Sequence, residues 1–310
     1  MYSLAEAVAN PIQPALTILL ISYRQVTIDF MAISAAKPPA AHEQGAPHMT
    51  DRFSTESLRR ALGARPFKFF ESVESTQDIA REWALSDPAL PNGAVVIAEE
   101  QTAGRGRGGR AWQSPPATSL ACSIVLRPRV VPERLPRLTI AGGLAVAQTL
   151  APLLPEGALA LKWPNDVLVN GRKICGILTE ATWIGDQLGP VILGIGLNVR
   201  ADFAGTELDG VATSLEPELG RPVDRHVLLA NLLGHVFRQA ARAGEPALID
   251  DWRRWLGTLG RRVTVFPQVG DSEAYQGIAE DVDDSGALFV RLDTGERRRI
   301  VAADVGLAEA

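Results

Sequence analysis

Cysteine and histidine are scarce in this chain. Its 310 residues hold two cysteines, Cys122 and Cys175, and four histidines, His42, His48, His226 and His235. Two cysteines exclude a disulfide scaffold and a cysteine-based zinc site, and the histidines show no metal-type clustering. Long apolar runs are missing too. The best stretch, Ala15 to Tyr23, falls short of the roughly 18 residues that span a bilayer. No Lys or Arg precedes it before Arg24, so it lacks the charged start of a signal peptide. A cytoplasmic protein with no membrane partner is expected. An excess of positive charge is also absent: 31 Lys+Arg stand against 36 Asp+Glu, a net charge of −5. There is no protein-wide electrostatic footprint for nucleic acid. The 28 Gly and 21 Pro carry no period, which excludes a collagen-like chain, and no internal repeat is visible.

What is present is globular. A composition of 46% hydrophobic and 22% charged residues excludes a largely disordered chain. At roughly 150 residues per domain the length suggests about two domains. Residues 1–50 differ from the rest, with Ala32–Pro47 rich in Ala and Pro, and read as a flexible leader or non-native extension. From Phe53 onward, α and β patterns mix. Ser54 caps a short helix through Leu62, Phe67–Val73 reads as a strand, and Ser75 or Thr76 caps a helix through Leu85 with Asp78 in its first turn. Strands follow at Ala94–Glu100 and Thr118–Leu126, separated by a long glycine-rich loop. Arg134–Leu154 has helical spacing. Leu159–Trp163, a Pro164-Asn165-Asp166 corner, Val167–Val169, an Asn170-Gly171 turn and Lys173–Trp183 form a hairpin region. Val191–Val199 is a strand, and Val223–Ala243 and Pro246–Leu256 are helices. After Gly257 short β-runs dominate: Val263–Phe266, Ala274–Asp281, Ala287–Leu292 and Glu296–Val301. The expected domains are 51–257 and a small β-barrel-like unit, 258–310.

The segment Gly104-Arg105-Gly106-Arg107-Gly108-Gly109-Arg110 carries the chemical signal. Glycines let the backbone approach a ligand and expose its N–H groups. Arginines add charged forks that match phosphate and carboxylate oxygens. The loop lies between two apolar strands, a location suited to an anion cradle. It lacks the Gly-Lys-Ser/Thr ending of a P-loop, and no helix follows as in a dinucleotide fingerprint. Taken alone it is equally open to an RGG-like RNA-binding segment or a solvated loop.

The loop has company. Glu74-Ser75-Thr76-Gln77, Gln101 through Trp112, Lys162-Trp163-Pro164-Asn165-Asp166, Arg172 through Glu180 and Gly194-Ile195-Gly196-Leu197-Asn198 occur in that order. From about Phe67 to the C-terminus the chain resembles biotin protein ligases, the biotin–acetyl-CoA-carboxylase ligases. The resemblance implies an α+β fold: a mixed β-sheet catalytic domain related to class II aminoacyl-tRNA synthetases, plus a small C-terminal SH3-like β domain. It also implies a two-step reaction. Biotin and MgATP give biotinyl-5′-adenylate and pyrophosphate, and the biotinyl group then passes to one lysine of a biotin carboxyl carrier domain, of acetyl-CoA carboxylase or a related carboxylase.

By resemblance, Ser75, Thr76, Gln77, Gln101, Arg105, Gly106, Arg107 and Lys173 are candidates for biotin. Arg105, Arg107, Trp112, Lys162, Asn165, Asp166 and Asn198 are candidates for ATP and the adenylate. Lys173, Arg107 and Asp166 are the catalytic candidates. Hydroxyls and amides suit the neutral ureido ring, and a lysine can follow charge as it develops. Asp166 is open to two roles, holding Mg²⁺ or acting as a base toward the incoming lysine. Gly194, Gly196 and Asn198 share one face of a strand, and the two missing side chains leave room there for a flat ligand. Gly108 stands where several relatives carry another arginine.

Three rival readings are weighed. A lipoate- or octanoate-protein ligase shares the fold, but the Gly/Arg loop followed by Ala111-Trp112 favours biotin. A biotin-responsive DNA-binding repressor needs an N-terminal helix-turn-helix, which the residues before Phe67 do not supply. A biotin-binding module without catalysis leaves Lys173, Asp166 and the loop arginines unused. No nucleic-acid partner is expected, and pairing of edge strands leaves a homodimer open.

Overall fold

The computed structural model describes residues 52–113, 115–267 and 273–307; the expected leader, residues 1–50, lies outside them. Ser54 caps α1 (Thr55–Leu62) by accepting the Ser57 N–H. Then come β1 (Phe67–Val73), α2 (Thr76–Ser86), β2 (Val95–Gln101), a 3₁₀ turn at Arg107–Gly109, and β3 (Ser119–Leu126). The long apolar helix α3 is Pro136–Leu150, shorter at both ends than its spacing suggests. Pro136 fits only the first turn because it has no N–H, and Pro152 would clash with the preceding turn if the helix continued. The chain goes on through β4 (Leu159–Lys162), β5 (Asp166–Val169), β6 (Arg172–Ile184) and β7 (Gln187–Asn198). Asn170 and Gly171 both take positive φ between β5 and β6, as a two-residue hairpin turn requires. Helices α4 (Leu215–Leu219), α5 (Arg225–Ala241) and α6 (Ala247–Trp255) follow, then β8 (Arg262–Pro267), β9 (Tyr275–Val282), β10 (Leu288–Leu292), β11 (Arg297–Ile300) and β12 (Ala303–Leu307). The sequence reading misses α4 and β12, both of five residues and neither strongly patterned.

The strands form two sheets. The first is mixed, in the order β1-β2-β3-β7-β6-β5-β4, with β1 parallel to β2 and every other pair antiparallel. The second is antiparallel, in the order β11-β10-β9-β8-β12. Helix α3 lies on one face of the first sheet, where Ile177 and Leu193 approach Gly142. It packs there with α5 and α6 over a continuous apolar core that includes Ile97, Cys122, Cys175 and Ile195. Helix α2 covers part of the opposite face, packing Ala80 and Ala84 against Val96 and Ile192.

Polar side chains tie the second sheet to the first. Arg137, fully buried on α3, donates to the carbonyls of Asp284, Ala243 and Glu245 at 2.7, 3.2 and 3.0 Å. Trp163 donates its indole N–H to the Gly286 carbonyl at 2.9 Å and its backbone N–H to Thr258 Oγ1. A second buried group anchors the front of the chain. Glu99 and Arg225 are both inaccessible and pair through two bonds of 2.9 and 3.0 Å. Glu99 also accepts the Phe53 N–H, and the Arg225 guanidinium lies 4.5 Å from the Phe53 ring centroid.

Removing one member of such a pair leaves the other charge buried and uncompensated. Arg225→Met is therefore expected to cost about 3–5 kcal/mol of stability in urea unfolding, and Glu99→Leu added to it is expected to recover a large part of that loss. A loss below about 1 kcal/mol, the scale of a surface pair, would show that the pair does not anchor the fold.

Candidate active site

Strand register builds the site floor. Residues paired across a ladder share a face. Ala98, Ala121, Gly196, Gly176, Asp166 and Lys162 pair in succession across β2, β3, β7, β6, β5 and β4. The neighbouring row on the same face runs Val96, Ser123, Gly194 and Leu178. Two alanines and two glycines thus make a shallow trench that ends in a carboxylate and a lysine.

Helix α2 supplies one wall. Gln77 reaches down into the space over Gly194, where an added Cβ would come within 2.6 Å of Gln77 Oε1. Its amide donates to the Ile192 carbonyl and accepts from Ser123 Oγ, at 3.2 and 3.0 Å. Thr76 Oγ1 contacts Ser123 Oγ and donates to Gln101 Oε1, and its N–H also donates to Gln101. This corrects the expected cap. Ser75 sits at the N-cap position but makes no capping bond; Gln101, 25 residues after Thr76, satisfies the first turn instead. Ser75, Thr76, Gln77 and Gln101 are nonetheless brought together as a neutral hydrogen-bonding corner.

The glycine/arginine loop is a small hairpin. Arg105 bridges to Ala111, Gly106 donates to Arg110 at 2.7 Å, and Trp112 donates to Gly104 at 2.8 Å. Its indole lies across the trench. A Cβ at Gly196 would overlap the ring, and one at Gly176 would approach within 3.2 Å. The glycines were expected to leave room for a flat ligand. In this structure Trp112 and Gln77 fill that room, and both lie too far away in sequence for spacing to reveal it.

The other end of the trench is cationic. Lys173 Nζ lies 2.6 Å from Asp166 Oδ1 and 5.8 Å from the Trp112 ring centroid. That carboxylate oxygen is closed to solvent and meets the Lys173 ammonium. Arg107 donates to Asn165 Oδ1 and to the Ala303 carbonyl of β12, at 3.3 and 3.4 Å. Asn165 in turn donates to the Ile177 carbonyl at 2.8 Å; it follows the cis Trp163-Pro164 peptide. Burial lowers Lys162 and Arg107 from their ordinary values, while Asp166 opposes the shift in both. Lys173 pairs its backbone with Val211 and Thr213, and Asn198, buried, donates to the Thr213 carbonyl at 3.1 Å. Arg105 is placed differently: it pairs with Asp78 of α2.

Comparison with known proteins finds relatives over most of the described chain. Residues 69–198 match the biotin/lipoate A/B protein ligase family, and residues 258–307 match the biotin protein ligase C terminal domain. The biotin–[acetyl-CoA-carboxylase] ligase of Mycobacterium tuberculosis is 39% identical over 217 residues, covering 68% of this chain and 77% of that protein. That of Paracoccus denitrificans is 37% identical over 223 residues, covering 70% and 92%.

The chain belongs to the biotin protein ligase family.

The biotin protein ligase of Aquifex aeolicus, solved in complex with biotin and ATP, matches with a TM-score of 0.66 at 26% identity, over 79% of this chain and 99% of that one. The fold is therefore that of biotin ligases, a mixed-sheet catalytic part with a separate C-terminal antiparallel sheet. Among the described residues no helix is long and apolar enough to cross a membrane, and no group of three or more His, Cys, Asp or Glu could hold a metal. Ser123 contacts Thr76 and Gln77, and Asp78 and Glu180 stand against Arg105, so the structure brings all three beside the expected residues. Sequence reasoning passed over Ser123 and Glu180 and read Asp78 only as a helix-dipole partner.

Gly196→Ala is expected to expel the Trp112 indole from the trench. Tryptophan emission should then shift to the red, and the shift should vanish in a Trp112→Phe background. An unchanged spectrum would show that the indole does not rest on Gly196 in solution.

Proposed function

We propose that the chain is an ATP-dependent biotin–protein ligase that forms biotinyl-5′-adenylate and transfers biotin to a lysine of a biotin carboxyl carrier domain. The observation that carries this reading is the polarity of the trench. Neutral amides and hydroxyls from Thr76, Gln77, Gln101 and Ser123 stand at one end. Lys162, Lys173, Arg107 and Asp166 stand at the other. A neutral ureido ring and two anions, a carboxylate and a phosphate chain, fit those ends in turn. The lipoate alternative is not favoured, since the C-terminal match is to the biotin protein ligase domain.

In the first step a biotin carboxylate oxygen bonds to the α-phosphorus of ATP as the bond to pyrophosphate breaks. Lys173 and Arg107 hold the two anions together and stabilise the charge that develops. In the second step the carrier lysine amine attacks the acyl carbon and AMP leaves. Trp112 and the hairpin cover the mixed anhydride against water. Asn198 and Asn165 border the nucleotide end, and Ser75 and Gly106 the biotin end. Asp166 belongs to no group of three or more metal-binding side chains among the described residues. It suits Mg²⁺ carried on the phosphates of ATP, which needs one or two carboxylates, better than a resident ion; the alternative role is a base toward the incoming lysine. The finer assignments belong to the same proposal: a catalytic domain over 51–257 of the class II synthetase-like type, a C-terminal SH3-like domain over 258–310, a carrier from acetyl-CoA carboxylase or a related carboxylase, and cytoplasmic location. A homodimer would form through the edge strands β1 or β4.

The test is the intact mass of a purified carrier domain after incubation with biotin and MgATP. One biotinyl increment, absent without ATP, is expected. Lys173→Ala should lower the rate on the order of 10²–10³-fold, and Arg107→Ala should increase escape of the adenylate. Wild-type turnover in Lys173→Ala would remove the catalytic assignment.

Lys162 gives a pH signature. Its value is lowered by burial, so as pH rises the free site loses this proton before an ordinary lysine would. A bound phosphate chain restores it. Nucleotide binding at a pH just below the ordinary lysine range should therefore take up protons, read by calorimetry in buffers of different ionisation enthalpy, and affinity should fall as pH rises. Identical proton uptake in Lys162→Met would contradict this.

A further inference from the structure

Two of the loop arginines meet different surroundings. Arg107 lies among Asn165, Asp166 and the β12 backbone. Arg105 lies at the base of the hairpin and turns to Asp78, in the first turn of α2, which receives both of its amino groups. Glu180 of β6 stands 3.8 Å from Arg105 and 3.5 Å from Arg81, and Arg81 also pairs with Asp78. One oxygen of Glu180 is closed to solvent and takes no hydrogen bond, and among the described residues these two guanidinium groups compensate its charge.

The balance of charge differs as well. Asp78 and Glu180 cancel Arg81 and Arg105. At the far end, Lys162, Lys173, Arg107 and Arg110 exceed Asp166 and Asp304 by two charges. A guanidinium already engaged by two carboxylates retains little attraction for a third anion. Asp78 is held below its usual carboxylate range by its hydrogen bond to Arg105, which is the same engagement seen from the acid.

The hairpin itself is closed by its own backbone bonds. Its placement over the trench depends on what its side chains grip. Resting on the ligase reading above, we infer that Asp78 and Glu180 are positioning residues that seat Arg105 as a strut, holding the glycine-rich hairpin over the trench. Arg105 then acts on the hairpin, and Arg107 and Lys173 are left to meet the substrate anions. The side chains that form the seat flank Thr76 and Gln77 in α2 and Leu178 in β6, so the strut also ties the hairpin to the neutral corner of the site.

The experiment combines limited trypsin digestion with adenylate-formation kinetics on the full chain. Asp78→Asn should speed cleavage after Arg107 and Arg110 about tenfold and raise the KM for biotin by a similar factor, with kcat within about twofold. Glu180→Gln should act in the same direction, and Asp78→Glu, which keeps the charge, should lie closer to wild type. In an Arg105→Ala background Asp78→Asn should add nothing further. Unchanged cleavage, or additive losses in the double variant, would overturn the inference. So would a lowered KM for biotin in Asp78→Asn, because that is the result expected if the acid merely withholds Arg105 from substrate. Digestion needs no substrate. A wild-type chain that leaves the carrier unmodified would therefore overturn the ligase reading alone, and the cleavage comparison would still decide the strut.

Discussion

Three missing Cβ atoms set the geometry of this protein. Gly176, Gly194 and Gly196 lie side by side on one face of the seven-stranded sheet; a Cβ at Gly194 or Gly196 would collide with Gln77 or Trp112, and one at Gly176 would press on Trp112. Their absence lets an indole and an amide rest on the sheet itself. Gln77 fixes the start of α2, because its side chain binds across β3 and β7. Trp112 fixes the end of the hairpin. A weak position in a strand, a glycine, is thus what allows a helix and a loop to be held at a defined height above the floor. The opposite face of the same strands carries Ile177, Leu193 and Ile195 and supplies the core. One face stabilises and the other receives.

The receiving face has an electrostatic cost. Lys162, Lys173, Arg107 and Arg110 crowd one end of the trench with Asp166 and Asp304 to offset them, and burial lowers both Lys162 and Arg107. A folded protein gains nothing from an unbalanced cluster of this kind; functional sites are where such violations of packing logic concentrate. Anionic substrates relieve it. The same low-dielectric setting that penalises the empty cluster strengthens its hold on a carboxylate and a phosphate. The buried pair of Glu99 and Arg225 is the counterexample within the chain. Its charges are matched and its hydrogen bonds are filled, so it serves anchoring alone.

Much of this was legible in the sequence because the residues concerned signal locally. Alternation and turn residues place β1, β5 and β6, and Asn170-Gly171 marks its hairpin turn. The order of five short motifs was enough to identify the family. What was not legible is non-local. The true cap of α2 is Gln101, which comes to Thr76 only because β1 and β2 pair in parallel. The occupant of the space above Gly196 is Trp112, 84 residues earlier. Glycines announce room but not the side chain that takes it. Asp78 fits a helix-dipole role so well that nothing in its neighbourhood points to Arg105. β12 was missed because Ala303-Asp304-Val305-Gly306-Leu307 has small residues where a strand signal needs large ones, although its backbone turns out to meet the loop.

That last contact shows how the two sheets come to share one site. The hairpin reaches α2 and β6 at its base through Arg105. Near its tip, Arg107 donates to the Ala303 carbonyl and Arg110 pairs with Asp304 at 2.6 Å. A loop held at one end only would leave its orientation to thermal motion. Held by the first sheet at its base and by the second near its tip, it spans the trench along a fixed line. The second sheet is in turn locked to α3 and to the Trp163 corner by Arg137 and the Gly286 carbonyl. The line of the hairpin is therefore set by backbone carbonyls and buried donors far from the substrate. Packing between the two sheets becomes part of how the site is aimed, and a change at that junction reaches the trench without touching any residue in it.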